Sequence, residues 1–181
     1  FDATACATCH FEDGRAAGPA GDGPLPAGIG VKLLTDDPAA INEFGAVLSA
    51  HSVDGPGEAT VTVTYEEVTG QFDDGTSYSL RRPIYSVELT GESLLPDDAV
   101  IGVRVAPQIP GLGLLELVPD DALIALADPD DLDGDGISGR LGTAVDLLRD
   151  EPAIGRFGWT AGQPTLEQQT ATALFNDMGL T

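Results

Sequence analysis

The stretch Cys6-Ala7-Thr8-Cys9-His10 decides the fold that this sequence predicts, because Cys-x-x-Cys-His is the attachment sequence of a c-type haem. Two thiols three residues apart on one helical turn can form thioethers with the two vinyl groups of a single porphyrin. The adjacent imidazole then lies under the iron as its proximal ligand. We therefore expect one covalent haem c, held by Cys6 and Cys9, with His10 on the iron.

Three other interpretations use the same residues: a disulfide between Cys6 and Cys9, a thioredoxin-like redox pair, and half of a zinc site. A zinc site needs about four ligands, and His51 is the only other cysteine or histidine in the sequence. A thioredoxin-like motif follows a strand in a βαβ pattern, whereas Asp2 and Thr4 beside this motif are typical of a helix start. These features favour haem attachment.

Composition limits the classes of partner. The 181 residues are 42% hydrophobic, which is enough for a folded domain with a sizeable core. Asp and Glu total 30 against 8 Lys and Arg, for a formal net charge of -22. Such a charge repels nucleic acid and anionic membranes, and favours a basic redox partner or divalent cations. No apolar run approaches the roughly 18 residues of a membrane span.

The motif also predicts a compartment. Covalent haem c is attached outside the bacterial cytoplasm, so we expect a periplasmic, secreted or cell-surface protein. No signal peptide precedes the motif, and we expect the sequence to be a processed or partial form.

The pattern along the chain predicts an α+β fold. Residues 3–13 are predicted to form a short helix that carries the haem ligands, and the Gly/Pro-rich loop over 14–30 wraps closely over a haem edge or is a plain surface loop. Strict alternation over 60–65 predicts a strand, with further strands over 77–80 and 84–89. Pro83 between them predicts an edge strand or a bulge.

Two helices are predicted towards the end of the chain. One begins at Asp120 and Asp121, whose acidic side chains complement the helix dipole, and continues to residue 127. The other has Thr165 as N-cap and Gln168 in the capping-box position, and it stops at Gly179. The predicted whole is one domain over 1–181, a cytochrome c-like helical haem core with a β-rich insertion at about 58–106 and long Gly/Pro loops.

Several stretches, in the same order, resemble the bacterial di-haem oxidoreductase family, whose members were labelled peroxidases and, earlier, thiol oxidoreductases. These stretches are residues 78–83, 106–107, 111–116, 127–140, 154–159 and 177–181. The resemblance implies two cytochrome c-like domains, each with one Cys-x-x-Cys-His. Only one such motif is present, so the chain is expected to be the N-terminal haem domain of a longer protein or a single-haem relative.

The acidic run within 127–140 has a physical interpretation of its own. Asp131, Asp133 and Asp135 alternate and are followed by Gly136, as in the first half of a calcium loop of EF-hand type. The twelfth position is Gly142 and supplies no carboxylate, so a Ca²⁺ site needs another ligand, such as Asp128 or Asp146. A solvated acidic turn is the alternative. The resemblance favours Ca²⁺, because di-haem peroxidases hold a calcium ion between their haems.

The sixth ligand of the iron has three candidates. Met178 is the only methionine and His51 the only spare histidine. Methionine would raise the haem potential, and a second histidine would lower it. The third candidate is an open site beside Arg156 and Trp159, where an arginine and an aromatic ring could stabilise a bound peroxide. Core packing is the alternative role for Met178 and Trp159.

Arginines are the candidate partners of the haem propionates, with Arg81 and Arg104 foremost, because a guanidinium binds a carboxylate with two hydrogen bonds. Salt bridges to the many Asp and Glu side chains are the alternative.

Two functions follow from the whole sequence. One is a haem-dependent, peroxidase-like oxidoreductase, and the other is a mono-haem electron-transfer module that docks a redox partner or associates with copies of itself.

Overall fold

The computed structural model describes residues 1–11 and 14–180, so Glu12, Asp13 and Thr181 lie outside the described residues. The chain divides into two compact units, which we call unit 1 (Phe1–Pro107) and unit 2 (Gln108–Thr181). None of the described helices is long and apolar enough to cross a membrane.

The elements of unit 1 are a 3₁₀ turn at Cys6–Thr8, β1 (Gly23–Pro24), β2 (Ile29–Leu34), α1 (Pro38–Phe44), β3 (Val47–Leu48), β4 (Ala59–Gln71), β5 (Ser77–Leu89) and β6 (Val100–Val105). The strands form two antiparallel sheets of three strands each, in the orders β1-β4-β5 and β3-β2-β6. Apolar side chains from both sheets, with Leu25 just after β1, form the core: Leu25, Ile29, Val31, Leu33, Leu48, Ala59, Val61 and Val63.

The alternation over 60–65 is confirmed as the inner half of β4. Val61 and Val63 are buried in the core, whereas Thr60 and Thr64 on the opposite face are exposed. A strand presents successive side chains to opposite faces, so one face of β4 closes the core and the other meets solvent.

Pro83 does not separate two strands, because β5 runs through it without a break. Pro83 lies opposite Tyr65 in the ladder with β4. The main-chain N–H of Tyr65 points away from β5 and donates to Asp22 Oδ1 at 3.1 Å. The pair therefore needs no N–H from the proline, and β5 lies at the edge of its sheet, as predicted.

Unit 2 contains α2 (Leu112–Glu116), α3 (Asp120–Leu126), the antiparallel pair β7 (Gly142–Asp146) and β8 (Glu151–Gly155), and α4 (Leu166–Met178). The start of α3 and both ends of α4 are confirmed. Thr165 Oγ1 accepts a hydrogen bond from Gln168 N at 3.1 Å, and Gly179 ends α4 at φ 66°.

The Gln168 side chain makes other contacts than the one predicted for a capping box. Its Nε2 donates to the Val145 carbonyl at 2.9 Å and to Gln163 Oε1 at 2.7 Å. Its Oε1 accepts from Leu147 N at 2.8 Å. The side chain therefore ties α4 to the β7–β8 pair.

The predicted helical cytochrome c core is wrong. The described residues form mostly β structure in three sheets, with a few short helices of which the longest, α4, has 13 residues. The fold is still an α+β mixture, but its strands are not confined to 58–106, because β6 pairs along the whole of β2.

The helix predicted over 3–13 shrinks to the three-residue turn Cys6–Thr8, and its positions 12 and 13 lie outside the described residues. Its N-cap, Ala5, offers no side-chain hydrogen bond to the turn. Thr and Cys are weak helix formers, and helices this short gain too few hydrogen bonds to offset nucleation.

Candidate haem attachment site

The imidazole of His10 is held by two main-chain carbonyls. Its Nδ1 lies 2.9 Å from the Pro107 carbonyl oxygen and 3.2 Å from that of Gly14. A carbonyl only accepts, so Nδ1 carries the hydrogen and donates it. In the neutral ring Nε2 then carries the lone pair, which is the tautomer of a histidine that binds a metal through Nε2.

The two cysteines of the motif are not joined by a disulfide. Cys6 is exposed and Cys9 is half-buried. The Cys6 carbonyl accepts from Cys9 N at 3.2 Å and from His10 N at 2.9 Å, which fixes the turn that carries all three side chains. The disulfide interpretation therefore finds no support here.

The Gly/Pro-rich loop closes tightly over this turn at Gly28. A Cβ on Gly28 would lie 2.6 Å from the Cys9 carbonyl oxygen and 2.5 Å from Ala16 Cβ, and its φ is +82°. Only glycine fits a backbone that approaches so closely with a positive φ. The prediction of close wrapping holds for the Cys9 main chain, and contact with a haem edge stays a prediction.

Residues at the end of β6 complete the support of the motif. Ala106 N donates to the Gly28 carbonyl at 2.7 Å, and the Ala106 carbonyl accepts from Ala16 N at 3.1 Å. The next residue, Pro107, supplies the carbonyl that holds His10. Sequence reasoning missed this role of Pro107, and a carbonyl contact at a separation of 97 residues leaves no local signal.

The residues of this turn fit a covalent haem c. Both thiols are outside disulfides, and the chain holds His10 in the tautomer that iron ligation needs. The three residues belong to one turn and are backed by one loop, so they are pre-arranged as a set.

Arg156 lies in unit 2 with its side chain 9% exposed. Its guanidinium donates to the Val118 carbonyl at 2.6 Å and the Leu115 carbonyl at 3.2 Å, and pairs with the Asp120 carboxylate. It therefore holds the end of α2 to the start of α3. Its neighbour Phe157 is buried, and Trp159 is 39% exposed. A peroxide pocket lined by Arg156 and Trp159 stays a prediction.

The candidates for the sixth ligand fall in different units. Met178 is the half-buried last residue of α4, in unit 2. His51 lies in unit 1, on a segment that bonds to the N-terminal residues through Val53 N and the Phe1 carbonyl at 3.0 Å. His51 Nε2 is buried without a hydrogen-bond partner among the described residues. Neither assignment is settled by these contacts, and both stay predictions.

The two arginines predicted to meet haem propionates lie on unit 1. Arg81 donates to the Ala20 carbonyl at 3.1 Å and stacks 4.5 Å over the Tyr65 ring. Arg104 donates to the Val103 carbonyl at 2.9 Å. Burial, followed by the nearby Tyr65 hydroxyl, raises the pKa of Tyr85, and Arg104 opposes that shift. Both guanidinium groups thus have protein partners, and the propionate contacts stay predictions.

In the acidic loop, the carboxylates of Asp128, Asp131 and Asp133 come within 4.8 Å of one another. Asp131 accepts from Gly136 N at 3.1 Å, the sharp turn expected of the glycine. Asp135 is not in the group, and its carboxylate accepts from Ile137 N at 2.8 Å. Asp128, one of the two residues expected as a further ligand, therefore joins Asp131 and Asp133, whereas Asp135 does not.

The comparisons with known proteins identify a family. The family model described as di-haem oxidoreductase, putative peroxidase, matches residues 27–181. No curated protein and no solved structure matches the chain. The matched residues include the acidic loop, Arg156 and Met178, whereas the turn with Cys6, Cys9 and His10 precedes them.

Proposed function

Because the chain belongs to the di-haem oxidoreductase family, we propose that it is a c-type haem redox protein whose haem is held by Cys6, Cys9 and His10. The observation that carries the proposal is the hydrogen bond of 2.9 Å from His10 Nδ1 to the Pro107 carbonyl. Family membership implies haem, and this contact supports His10 as the residue that binds it.

The residues of the turn have distinct roles in this proposal. The thiols of Cys6 and Cys9 fix the porphyrin, and His10 Nε2 is directed to the iron. The Pro107 and Gly14 carbonyls accept from Nδ1, which orients the ring and makes Nε2 a stronger donor. The haem, when bound, supplies one-electron oxidation and reduction.

We propose peroxidase-like oxidoreduction as the activity, with this chain as the N-terminal haem domain and a second haem domain as its redox partner. Electron transfer by a mono-haem module is the second candidate. The contacts of Arg156 favour that second candidate, because a guanidinium committed to two carbonyls and Asp120 is not free to meet a peroxide. A periplasmic or cell-surface location and a basic redox partner belong to the same proposal.

Calcium is the proposed ion for the acidic loop, because Ca²⁺ takes carboxylate oxygens in flexible geometry. The proposed ligands are Asp128, Asp131 and Asp133, whose oxygens already converge.

Spectra of the purified holoprotein test the proposal. We expect the absorption of a covalent c-type haem that survives acid–acetone extraction. Cys6→Ser and Cys9→Ser should each leave one thioether, and the double variant should lose covalent haem. Thr8→Ala, in the same turn, is the matched control and should retain it. A wild-type protein without haem would refute the assignment of this turn.

Added cyanide or carbon monoxide separates the two candidate activities. A low-spin iron that ignores both ligands would refute a peroxide site on this haem and support electron transfer as the role of this domain. His51→Asn and Met178→Leu would then show which residue supplies the sixth ligand. High-spin iron that binds ligand quickly would support the peroxidase-like activity.

A further inference from the structure

The β4–β5 ribbon changes its apolar face halfway along. In its inner half, the core-facing side carries Val61 and Val63, which are buried. In its outer half, the apolar residues lie on the opposite face. Val68 and Leu80 are directly paired across the ladder there, and they are 37% and 59% exposed.

Aromatic residues extend this outer apolar stripe to the turn. Tyr78 covers Gly70, its partner in the ladder, so closely that a Cβ there would lie 2.4 Å from the Tyr78 hydroxyl oxygen. Phe72 packs against the Tyr78 ring with centroids 5.0 Å apart, and Phe72 is 60% exposed. An isolated two-stranded ribbon is marginally stable in water, so an exposed apolar face on one indicates a partner.

In an antiparallel strand, the N–H and C=O groups of alternate residues point to opposite sides. This alternation shows which main-chain groups of β5 have no partner strand among the described residues. Tyr65 N donates to Asp22 and the Val61 carbonyl accepts from Leu25, so odd-numbered residues of β4 point away from β5. Since odd residues of β4 pair with odd residues of β5, the odd residues of β5 direct their N–H and C=O groups to the outer edge. No strand in the described part of the chain pairs with that edge.

We propose that this edge pairs antiparallel with β5 of a second copy of the chain, about a two-fold axis at Ser79. In this register Ser79 meets its own equivalent, and Ser77 of each copy meets Arg81 of the other. Residues at odd positions then form the new ladder bonds. Tyr78 of one copy lies opposite Leu80 of the other, which joins the two apolar stripes into one on the same face of a six-stranded sheet.

The charges along β5 allow a second copy to approach here. Within β5 itself, Arg81 and Arg82 outnumber the one acidic residue, Glu88, in a chain whose net charge is -22, and across the ladder they pair with Glu67 and Glu66. Arg82 is neutralised by Glu66 at 2.5 Å. The register places no arginine opposite another arginine. The arginines of the edge strand thus offset the neighbouring carboxylates of β4, so this edge lacks the excess of negative charge that the chain carries as a whole.

Sedimentation equilibrium of the full holoprotein tests the association. We expect a dimer whose Kd falls as salt rises, because salt screens the repulsion between two acidic bodies. Leu80→Asp should raise the dimer Kd at least about tenfold, because it places a charge in the stripe. Leu147→Asp is the matched control, since Leu147 is an exposed leucine of unit 2, and its Kd should equal that of the wild type.

Cross-linking tests the register. Directly opposed, hydrogen-bonded strand residues have Cα atoms about 5.5 Å apart, within disulfide range. Ser79→Cys should therefore give an oxidised dimer linked through residue 79, identified by mass spectrometry of the linked peptide. Thr69→Cys is the matched control, because Thr69 pairs with Ser79 across the ribbon but lies one strand further from the axis.

Four results would overturn the proposal. They are a monomer at every concentration, a dimer that Leu80→Asp leaves intact, equal cross-linking of the two cysteine variants, and a monomer that binds polylysine through this ribbon. The last result would assign the edge to a basic partner.

Discussion

Unit 1 and unit 2 differ in how much apolar surface they bury. Unit 1 closes a core of eight buried residues, drawn from both of its sheets and from Leu25 just after β1. In the described part of unit 2, Phe157 and Pro164 are the buried apolar side chains. Six of its leucines are at least 70% exposed: Leu114, Leu117, Leu126, Leu132, Leu147 and Leu148. Burial of apolar surface therefore stabilises unit 1, whereas it contributes little within unit 2.

Unit 2 is held by polar and main-chain contacts instead. Arg156 joins α2 to α3, and Gln168 joins α4 to the β7–β8 pair. The turn after β8 packs so closely that a Cβ on Gly155 would lie 1.7 Å from the Ala161 carbonyl oxygen. Substitutions that remove apolar volume should therefore damage unit 1, and substitutions that remove a hydrogen bond should damage unit 2.

The largest expected effect is the removal of a core leucine from unit 1. Leu48 is 1% exposed, and Leu48→Ala should lower the free energy of unfolding by about 2–5 kcal/mol through lost burial and the cavity left behind. Leu126→Ala in unit 2, where the leucine is 79% exposed, should change it by less than about 0.5 kcal/mol. Urea unfolding of both variants measures the difference. A cost above about 2 kcal/mol for Leu126→Ala would show that unit 2 is covered in solution, and would break the contrast.

For the second-largest expected effect, the substitution in unit 2 costs more stability than the one in unit 1. Arg156→Lys should lower the free energy of unfolding by about 1–3 kcal/mol, because one ammonium cannot serve two carbonyls and Asp120 from the same position. Arg82→Lys in unit 1 should cost less than about 0.5 kcal/mol, since Arg82 and Glu66 are both more than half exposed. Thermal unfolding of the two variants compares them. Equal shifts in Tm would deny the structural role of Arg156.

The same contrast explains what the sequence could predict. The alternation over 60–65 identifies β4, because apolar and polar residues alternate along a strand that is buried on one face only. Thr165 and Gly179 mark the ends of α4, because capping depends on residues next to the helix. The Cys-x-x-Cys-His spacing identifies the candidate haem ligands. It carries no information on secondary structure, and the helix expected around it was wrong.

Contacts between residues that are distant in the sequence could not be predicted, because they leave no local pattern. The carbonyl of Pro107 holds His10 across 97 residues, and a carbonyl is present at every position in a chain. Arg156 was singled out because an arginine beside an aromatic ring suits peroxide chemistry. Its carbonyl partners, Leu115 and Val118, lie some forty residues earlier and leave no pattern. Asp128, by contrast, lies only three residues before Asp131, and the sequence already offers it as a further ligand beside the alternating aspartates.

The smallest expected effect is the loss of stability at low pH, which we compare for one aspartate from each unit. Burial alone would raise the pKa of Asp146, but hydrogen bonds from the Arg149 and Leu148 main chain and the Arg149 guanidinium outweigh burial, so its pKa is lowered. In unit 1, hydrogen bonds from Asp36 N and the Thr35 hydroxyl lower the pKa of the exposed Asp98. A lowered pKa means that the unfolded chain binds the proton first. The carboxylate therefore stabilises the fold above the unfolded pKa of about 3.9, and this contribution disappears as pH falls through the folded pKa.

Asp146→Asn should therefore lower the urea midpoint at pH 7, and its gap from the wild type should close as the pH falls below about 4. Asp98→Asn should show the same sign with a smaller gap, because solvent screens its exposed carboxylate. Urea titrations at pH 7, 5 and 3 measure both gaps. A gap for Asp146→Asn that widens in acid would mean that burial outweighs the hydrogen bonds. Unit 2 would then lose the polar anchor that this carboxylate provides at the end of β7.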